Sequence, residues 1–134
     1  MSITLLIAVA VFGIAVLSFV SLFSRKSSKL KVEVYRERWR KVQTYLNSDD
    51  TLSLAVLEAD KLVDKALKES KFKGATMGER MVSAKKVFSK RDHVWMAHKL
   101  RNKIAHESDV KVSKRQAKAA LSAFHRALKD LGAL

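Results

Sequence analysis

The stretch TLSLAVLEADKLVDKALKES, residues 51–70, decides the fold class of this 134-residue chain. Its apolar residues recur every three or four positions, which is the spacing of one buried face of an α-helix. They are Leu52, Ala55, Val56, Ala59, Leu62, Val63, Ala66 and Leu67. Ser48, Asp49 and Asp50 stand just before them and favour the start of a helix. The pattern predicts an amphipathic helix at the centre of a helical core.

Further segments on both sides of this stretch have the same helical periodicity. We predict helices over residues 30–46, over a short segment from Thr76 to near Phe88, over 89–106 and over 113–131. Two of them begin with capping-box sequences, Thr76 to Glu79 and Ser113 to Gln116. The chain has no proline and 4 glycines, so few residues interrupt a helix. We therefore expect an all-α fold, with a bundle of about five helices over residues 30–134.

An uncharged apolar segment, Ile3 to Phe23, precedes the bundle. As a helix it would be roughly 30 Å long, which is the hydrocarbon thickness of a bilayer. It lacks the basic start and the small-residue cleavage site of a signal peptide. We therefore interpret residues 1–23 as a single transmembrane helix that anchors the chain.

A basic sequence follows the apolar segment and contains Arg25, Lys26, Lys29 and Lys31. Positive charge beside a spanning helix stays on the cytoplasmic side. This predicts a single-pass protein of the inner membrane, with the N-terminus outside, a basic juxtamembrane linker over residues 24–29 and a cytoplasmic domain over 30–134. The four cations could also bind anionic headgroups at the membrane surface, and a topology signal alone is the alternative.

The net charge of +14, from 27 Lys and Arg against 13 Asp and Glu, indicates a polyanionic partner. Such a charge attracts RNA or an anionic membrane, and the alternative is a solvated surface with no dedicated partner. The chain has no cysteine, which excludes disulfides and thiolate metal sites. Asp60 and Asp64 lie one helical turn apart with lysines around them and no histidine nearby. We interpret them as ion-pair partners of the basic helices and expect no metal.

The predicted helix over 89–106 has an unusual polar side. Turning 100° per residue gathers Trp95, His98, Asn102 and His106 on that side, with Arg101 at its boundary. The core stripe of the same helix is Ala97, Leu100 and Ile104. An aromatic ring, imidazoles and an amide together indicate a site or an interface. The alternative is that the basic residues only stabilise the C-terminal end of the helix.

The run AHKLRNKIAH, residues 97–106, resembles the signature of the HEPN superfamily, which is an arginine, a polar residue, and a histidine four to six positions after the arginine. Arg101, Asn102 and His106 match this signature. The resemblance implies a small helical domain that acts as a metal-independent endoribonuclease without a cofactor. It also implies a homodimer, because the composite site of such enzymes forms where two motifs meet.

The residue types suit attack of a ribose 2′-hydroxyl on the neighbouring phosphate. Histidine can accept and donate protons near neutral pH, so His106 is the candidate general acid or base. The charged fork of Arg101 would hold the phosphate, and Asn102 would orient it. Trp95 and His98 are candidate supporting or binding residues. Arg101 and His106 are about 140° apart around a helix, so a second copy is expected to complete the site.

Two functions follow from the sequence. The leading hypothesis is a membrane-anchored HEPN-like endoribonuclease that acts on RNA at the cytoplasmic membrane surface. The alternative is a non-catalytic, membrane-tethered helical module that binds RNA or a protein partner. A regulatory protein is a further expected partner whose identity the sequence does not give.

Overall fold

The computed structural model describes residues 2–23 and 30–134, and within these residues it has six α-helices and no strand. The helices are α1 (Ile3–Phe23), α2 (Val32–Thr44), α3 (Leu52–Glu69), α4 (Met77–Ser83), α5 (Arg91–His106) and α6 (Lys114–Asp130). Two short 3-10 turns, Tyr45–Asn47 and Asp49–Thr51, connect α2 to α3. The predicted helical bundle is confirmed.

Helix α3 forms the centre of the bundle, because it packs against α2, α4, α5 and α6. Every apolar position of the predicted stripe from Leu52 to Leu67 is buried. The buried side chains around it include Tyr35, Trp39, Met81, Val94 and Phe124 from the neighbouring helices. Burial of these apolar surfaces is the main favourable contribution to folding. The same central helix also buries one carboxylate, Asp60.

The starts of α4 and α6 show the predicted capping chemistry to different degrees. At α6 the capping box is complete: the Gln116 amide donates to Ser113 Oγ at 3.1 Å, and the Ser113 amide donates to Gln116 Oε1 at 2.9 Å. At α4 the Glu79 amide donates to Thr76 Oγ1 at 3.2 Å, whereas the Glu79 carboxylate accepts from the amide of Ala75. The second half of that box is therefore displaced by one residue.

The predicted end of the α4 segment near Phe88 is wrong, because the helix ends at Ser83. After Ser83 the chain continues in turns, and α6 holds it at Ser89. The Ser89 amide and hydroxyl both donate to Asp130 Oδ2 at 2.8 Å, and Phe88 is buried next to them in sequence. These contacts fix the position at which the turns after α4 lead into α5.

The membrane prediction needs correction. In the described part of the chain, no helix is both long and apolar enough to cross a membrane. The transmembrane anchor over residues 1–23 and the single-pass, N-out placement in the inner membrane were therefore wrong, and the cytoplasmic location of the domain, which was inferred from them, loses its basis.

The basic residues assigned to the membrane surface are only partly described. Arg25, Lys26 and Lys29 lie outside the described residues, with the rest of the predicted linker 24–29. Lys31 is exposed and directly precedes α2, where its side chain makes no capping hydrogen bond. Its charge is therefore available to solvent.

Candidate functional site

The site is organised by Asp60, a carboxylate that is 2% exposed on the face of α3 toward α5. Its Oδ1 accepts a hydrogen bond from His98 Nδ1 at 2.8 Å, and its Oδ2 lies 3.2 Å from Arg101 Nε. A buried carboxylate requires such partners, because burying an unpaired charge is costly. His98 and Arg101 are three residues apart and therefore share a face of α5. Both Asp60 oxygens thus hold α5 in one orientation against α3.

Two nitrogens of the Arg101 guanidinium have partners in the described part of the protein, and the third does not. Besides the Nε contact with Asp60, its Nη1 donates to Asn102 Oδ1 at 2.9 Å. The side chain keeps 37% of its surface exposed, and Nη2 makes no hydrogen bond with the described residues. A guanidinium fixed in this way presents donors suited to an anion such as a phosphate.

Trp95 and His98 pack behind the Asp60–Arg101 contact, on the side toward the protein interior. His98 is 7% exposed, and the half-buried Trp95 stands edge-on to it, with ring centroids 6.1 Å apart and an interplanar angle of 77°. A Cβ added to Gly78 of α4 would lie 3.8 Å from Trp95 Cη2, so the indole lies over that glycine. Because His98 is buried against Asp60, it can act on a ligand only through Asp60 and Arg101.

His106 lies apart from this cluster. It is the last residue of α5 and is exposed, and its side chain makes no hydrogen bond or ion pair with any residue that the structure describes. Its direction around the helix differs from that of Arg101 by about 140°. The structure therefore brings Arg101, Asn102, His98 and Trp95 together and leaves His106 outside. Arg101 and His106 are nevertheless both open to solvent at the same end of α5.

Asp60 and Asp64 were expected to form ion pairs with the basic helices, and both residues do. The role of Asp60 in holding Arg101 was not expected. A signal was present, because Asp60 lies four residues after Val56 and three before Val63, within the buried stripe. An acidic residue at such a position predicts a buried partner on the helix packed against it.

The site offers anion binding as its chemistry. Among residues 2–23 and 30–134, no group of three or more His, Cys, Asp or Glu could hold a metal ion. Arg101 and the Asn102 amide are the polar groups that the cluster presents at the surface.

These features define a class of protein: a basic helical bundle in which a buried carboxylate holds a partly exposed arginine. No protein family matches the chain, and neither a curated protein nor a solved structure matches it. The HEPN resemblance, carried by Arg101, Asn102 and His106, stays a prediction.

Proposed function

We propose that this protein is a metal-independent endoribonuclease whose reacting groups are Arg101, Asn102 and His106. The observation that carries the proposal is the contact between Asp60 Oδ2 and Arg101 Nε, 3.2 Å apart. A buried acid that fixes an exposed arginine prepares that arginine for a charge that develops in a reaction. The arginine is also the residue that the HEPN signature assigns to the phosphate.

In the proposed reaction the ribose 2′-oxygen forms a bond to phosphorus while the bond from phosphorus to the 5′-oxygen breaks. The products are a 2′,3′-cyclic phosphate and a 5′-hydroxyl. Arg101 stabilises the additional negative charge on the phosphoryl oxygens, and Asn102 keeps the guanidinium in place through its amide oxygen. The proton of the 2′-hydroxyl passes to a base, and the leaving 5′-oxygen takes a proton from an acid.

His106 serves one of these two proton transfers. It is exposed at the end of α5, and histidine exchanges protons near neutral pH. Since His106 and Arg101 point in different directions within one chain, the complete site is proposed to need a second copy. That copy would bring its own His106 beside this Arg101 and would supply the second proton transfer.

A non-catalytic module that binds RNA or a protein partner through the same end of α5 is the second candidate. It is favoured by one observation: in the described chain the His106 side chain makes no hydrogen bond with Arg101 or Asn102. In this alternative the Asp60 cluster only fixes α5 on α3, and Arg101 contributes charge to a binding surface.

The full-length protein and end-labelled RNA in excess chelator separate the two candidates under single-turnover conditions. We expect cleavage that leaves a cyclic phosphate, and we expect Arg101→Ala and His106→Ala each to lower the rate by at least about 100-fold. DNA of the same sequence lacks the 2′-hydroxyl and should remain intact.

His93→Ala is the matched control, because His93 is also an exposed histidine on α5. It should retain the wild-type rate, and circular dichroism should show equal folding of all variants. Cleavage that all three substitutions leave unchanged would indicate a contaminating nuclease. Absence of cleavage at high protein concentration would reject the enzyme and leave the binding module.

A further inference from the structure

A second charged surface lies between α2 and α3, away from the Asp60 site. It is a groove with a volume of ≈ 360 Å³. Its cationic lining comes from both helices and consists of Arg38, Lys41, Lys61 and Lys65. On α3, Lys61 and Lys65 point about 100° and 140° away from Asp60, so the groove and the Arg101 site use different faces of that helix.

The positive charge of the groove is only partly compensated, because two of its four cations have a carboxylate partner. Glu58 is the one acidic residue in its lining, and it pairs with Lys61 at 3.2 Å. Lys65 pairs with Glu69 from the same helix. Both pairs join side chains that are at least one-third exposed, so they are weak and a phosphate can compete for the lysines. Arg38 and Lys41 are exposed, and the Arg38 charge lies near enough to the Glu69 carboxylate to act on it.

The arrangement of the cations suits a linear polyanion. Arg38 and Lys41 occupy successive turns of α2, and Lys61 and Lys65 occupy successive turns of α3. Each wall of the groove therefore carries two cations, with neighbours about 5–6 Å apart at Cβ. The phosphates of an extended strand can be contacted from both walls.

The groove also contains an aromatic ring. Tyr45 begins the 3-10 turn after α2, is half-buried, and contributes to the lining. Val42 and Leu62, both buried, contribute apolar surface. A cationic groove with an aromatic side chain on which a base can stack is the usual means of binding single-stranded nucleic acid.

We propose that this groove binds a single-stranded segment of RNA that lies outside the cleavage site. Arg38 and Lys41 contact its phosphates, Lys61 and Lys65 contact them from the opposite wall, and Tyr45 stacks on a base. The inference rests on the proposed function in one respect, which is that RNA is the substrate. It adds a binding site that acts before the reaction and that does not involve Arg101 or His106.

The test uses the full-length protein and a fluorescent single-stranded RNA of about 12 nucleotides, within the usual range of such sites. Its 2′-oxygens are methylated, so it binds but cannot be cleaved. Fluorescence anisotropy over a series of salt concentrations gives the dissociation constant. For Arg38→Gln/Lys41→Gln we expect an increase of roughly tenfold or more. The slope of log affinity against log salt should fall by about 1.4, or about 0.7 for each phosphate contact.

The matched control is Arg40→Gln/Lys129→Gln, which removes the same charge from exposed positions outside the groove lining. We expect its dissociation constant to stay within about twofold of wild type, because long-range charge contributes little at moderate salt. Equal weakening in both double variants would overturn the proposal in favour of a general basic surface. Unchanged binding in Arg38→Gln/Lys41→Gln would overturn it as well.

Tyr45→Leu tests the base contact separately, with inorganic polyphosphate as the second ligand. We expect it to weaken RNA binding about tenfold and polyphosphate binding hardly at all. Equal weakening of both would reject the stacking contact, and a thermal melt checks that the variant is folded. If no variant or wild-type protein cleaves RNA, yet the groove variants alone lose affinity, the ribonuclease proposal fails and the groove stands.

Discussion

Asp60 and Asp64 lie one turn apart on α3, but their ion pairs are built differently. Asp64 is held by both sides of one guanidinium: Arg80 Nε donates to Oδ1 at 2.7 Å, and Arg80 Nη2 donates to Oδ2 at 3.0 Å. The remaining nitrogen, Nη1, donates to the carbonyl oxygen of Gly74 at 2.7 Å. Arg80 therefore uses all of its donor nitrogens within the fold.

The pair of Asp60 with Arg101 is open by comparison, in the sense that it leaves donor nitrogens of the arginine unused. Only Nε of Arg101 contacts Asp60, and the other oxygen of that carboxylate binds His98. The Arg101 side chain is 37% exposed, whereas that of Arg80 is 10% exposed. The comparison indicates that Arg80 closes a structural contact, while Arg101 keeps donors available for a ligand.

The electrostatics of the closed pair agree with a structural role. Burial raises the pKa of Asp64, but the hydrogen bonds and charges of Arg80 and Lys68 outweigh it and hold that pKa below its usual value. The carboxylate therefore stays ionised over the whole neutral range. The pair consequently joins α4 to α3 without involving Arg101 or a ligand bound to it.

The largest expected effect comes from breaking the closed pair with Arg80→Met. The change leaves a partly buried carboxylate and the Gly74 carbonyl without their main donor, so we expect the free energy of unfolding to fall by about 3 kcal/mol. Urea denaturation measures this loss. Arg36→Met is the control, because the Arg36 pair with Glu33 is exposed and should contribute little. A loss of RNA cleavage by still-folded Arg80→Met would contradict the assignment of this pair to the fold alone.

The next largest effect is expected from Asp60→Asn, which keeps the shape of the side chain and removes its charge. One of the two N–H donors, His98 Nδ1 or Arg101 Nε, then faces an NH₂ group instead of an oxygen, so we expect about 1–2 kcal/mol lower stability. Cleavage should fall by about 10- to 100-fold, with the loss in kcat rather than in KM, because Arg101 is less firmly positioned at the phosphate.

Asp64→Asn is the matched control for Asp60→Asn, since it makes the same change one turn along the same helix. It should lower stability while leaving cleavage by the folded protein unchanged. If both variants lose cleavage equally, the distinction between an open and a closed pair is wrong. If neither does, Asp60 has no role in positioning Arg101.

Local patterns account for what the sequence predicted correctly. The stripe from Leu52 to Leu67 repeats at helical spacing, so burial on α3 could be read without knowing its neighbours. The capping box at Ser113 and Gln116 is likewise contained within four residues. These features depend on short-range geometry, which is the information that a single sequence carries best.

Long-range packing accounts for what the sequence did not predict. Asp60 and Arg101 are far apart in the chain, and their contact exists only because α5 packs on α3 in one rotation. The contact of Asp130 with Ser89, in the segment after α4, also joins distant residues. A periodic pattern gives the face that a residue occupies, but not the partner that it meets there.

A smaller effect should appear when the closed pair is titrated. The folded-state pKa of Asp64 lies below the usual 3.8, so its contribution to stability is complete above about pH 5 and is lost as the pH falls through the folded-state value. We expect the urea midpoint of the wild type to approach that of Asp64→Asn as the pH is lowered from 7 toward 2.5. Glu33→Gln, from an exposed pair, is the reference for other carboxylates. A constant difference between wild type and Asp64→Asn would show that this pKa is not lowered.

The smallest expected effect concerns the second cation at Asp64. Lys68 Nζ lies 3.2 Å from Asp64 Oδ2, but the lysine side chain is 60% exposed and solvent screens the contact. For Lys68→Gln we therefore expect a loss of about 0.5 kcal/mol or less in urea denaturation, well below the loss for Arg80→Met. A comparable loss in the two variants would mean that net charge, and not the two-point geometry of Arg80, keeps the pair closed. Arg101 would then differ from Arg80 in exposure alone, and the openness of its pair would no longer argue for a ligand.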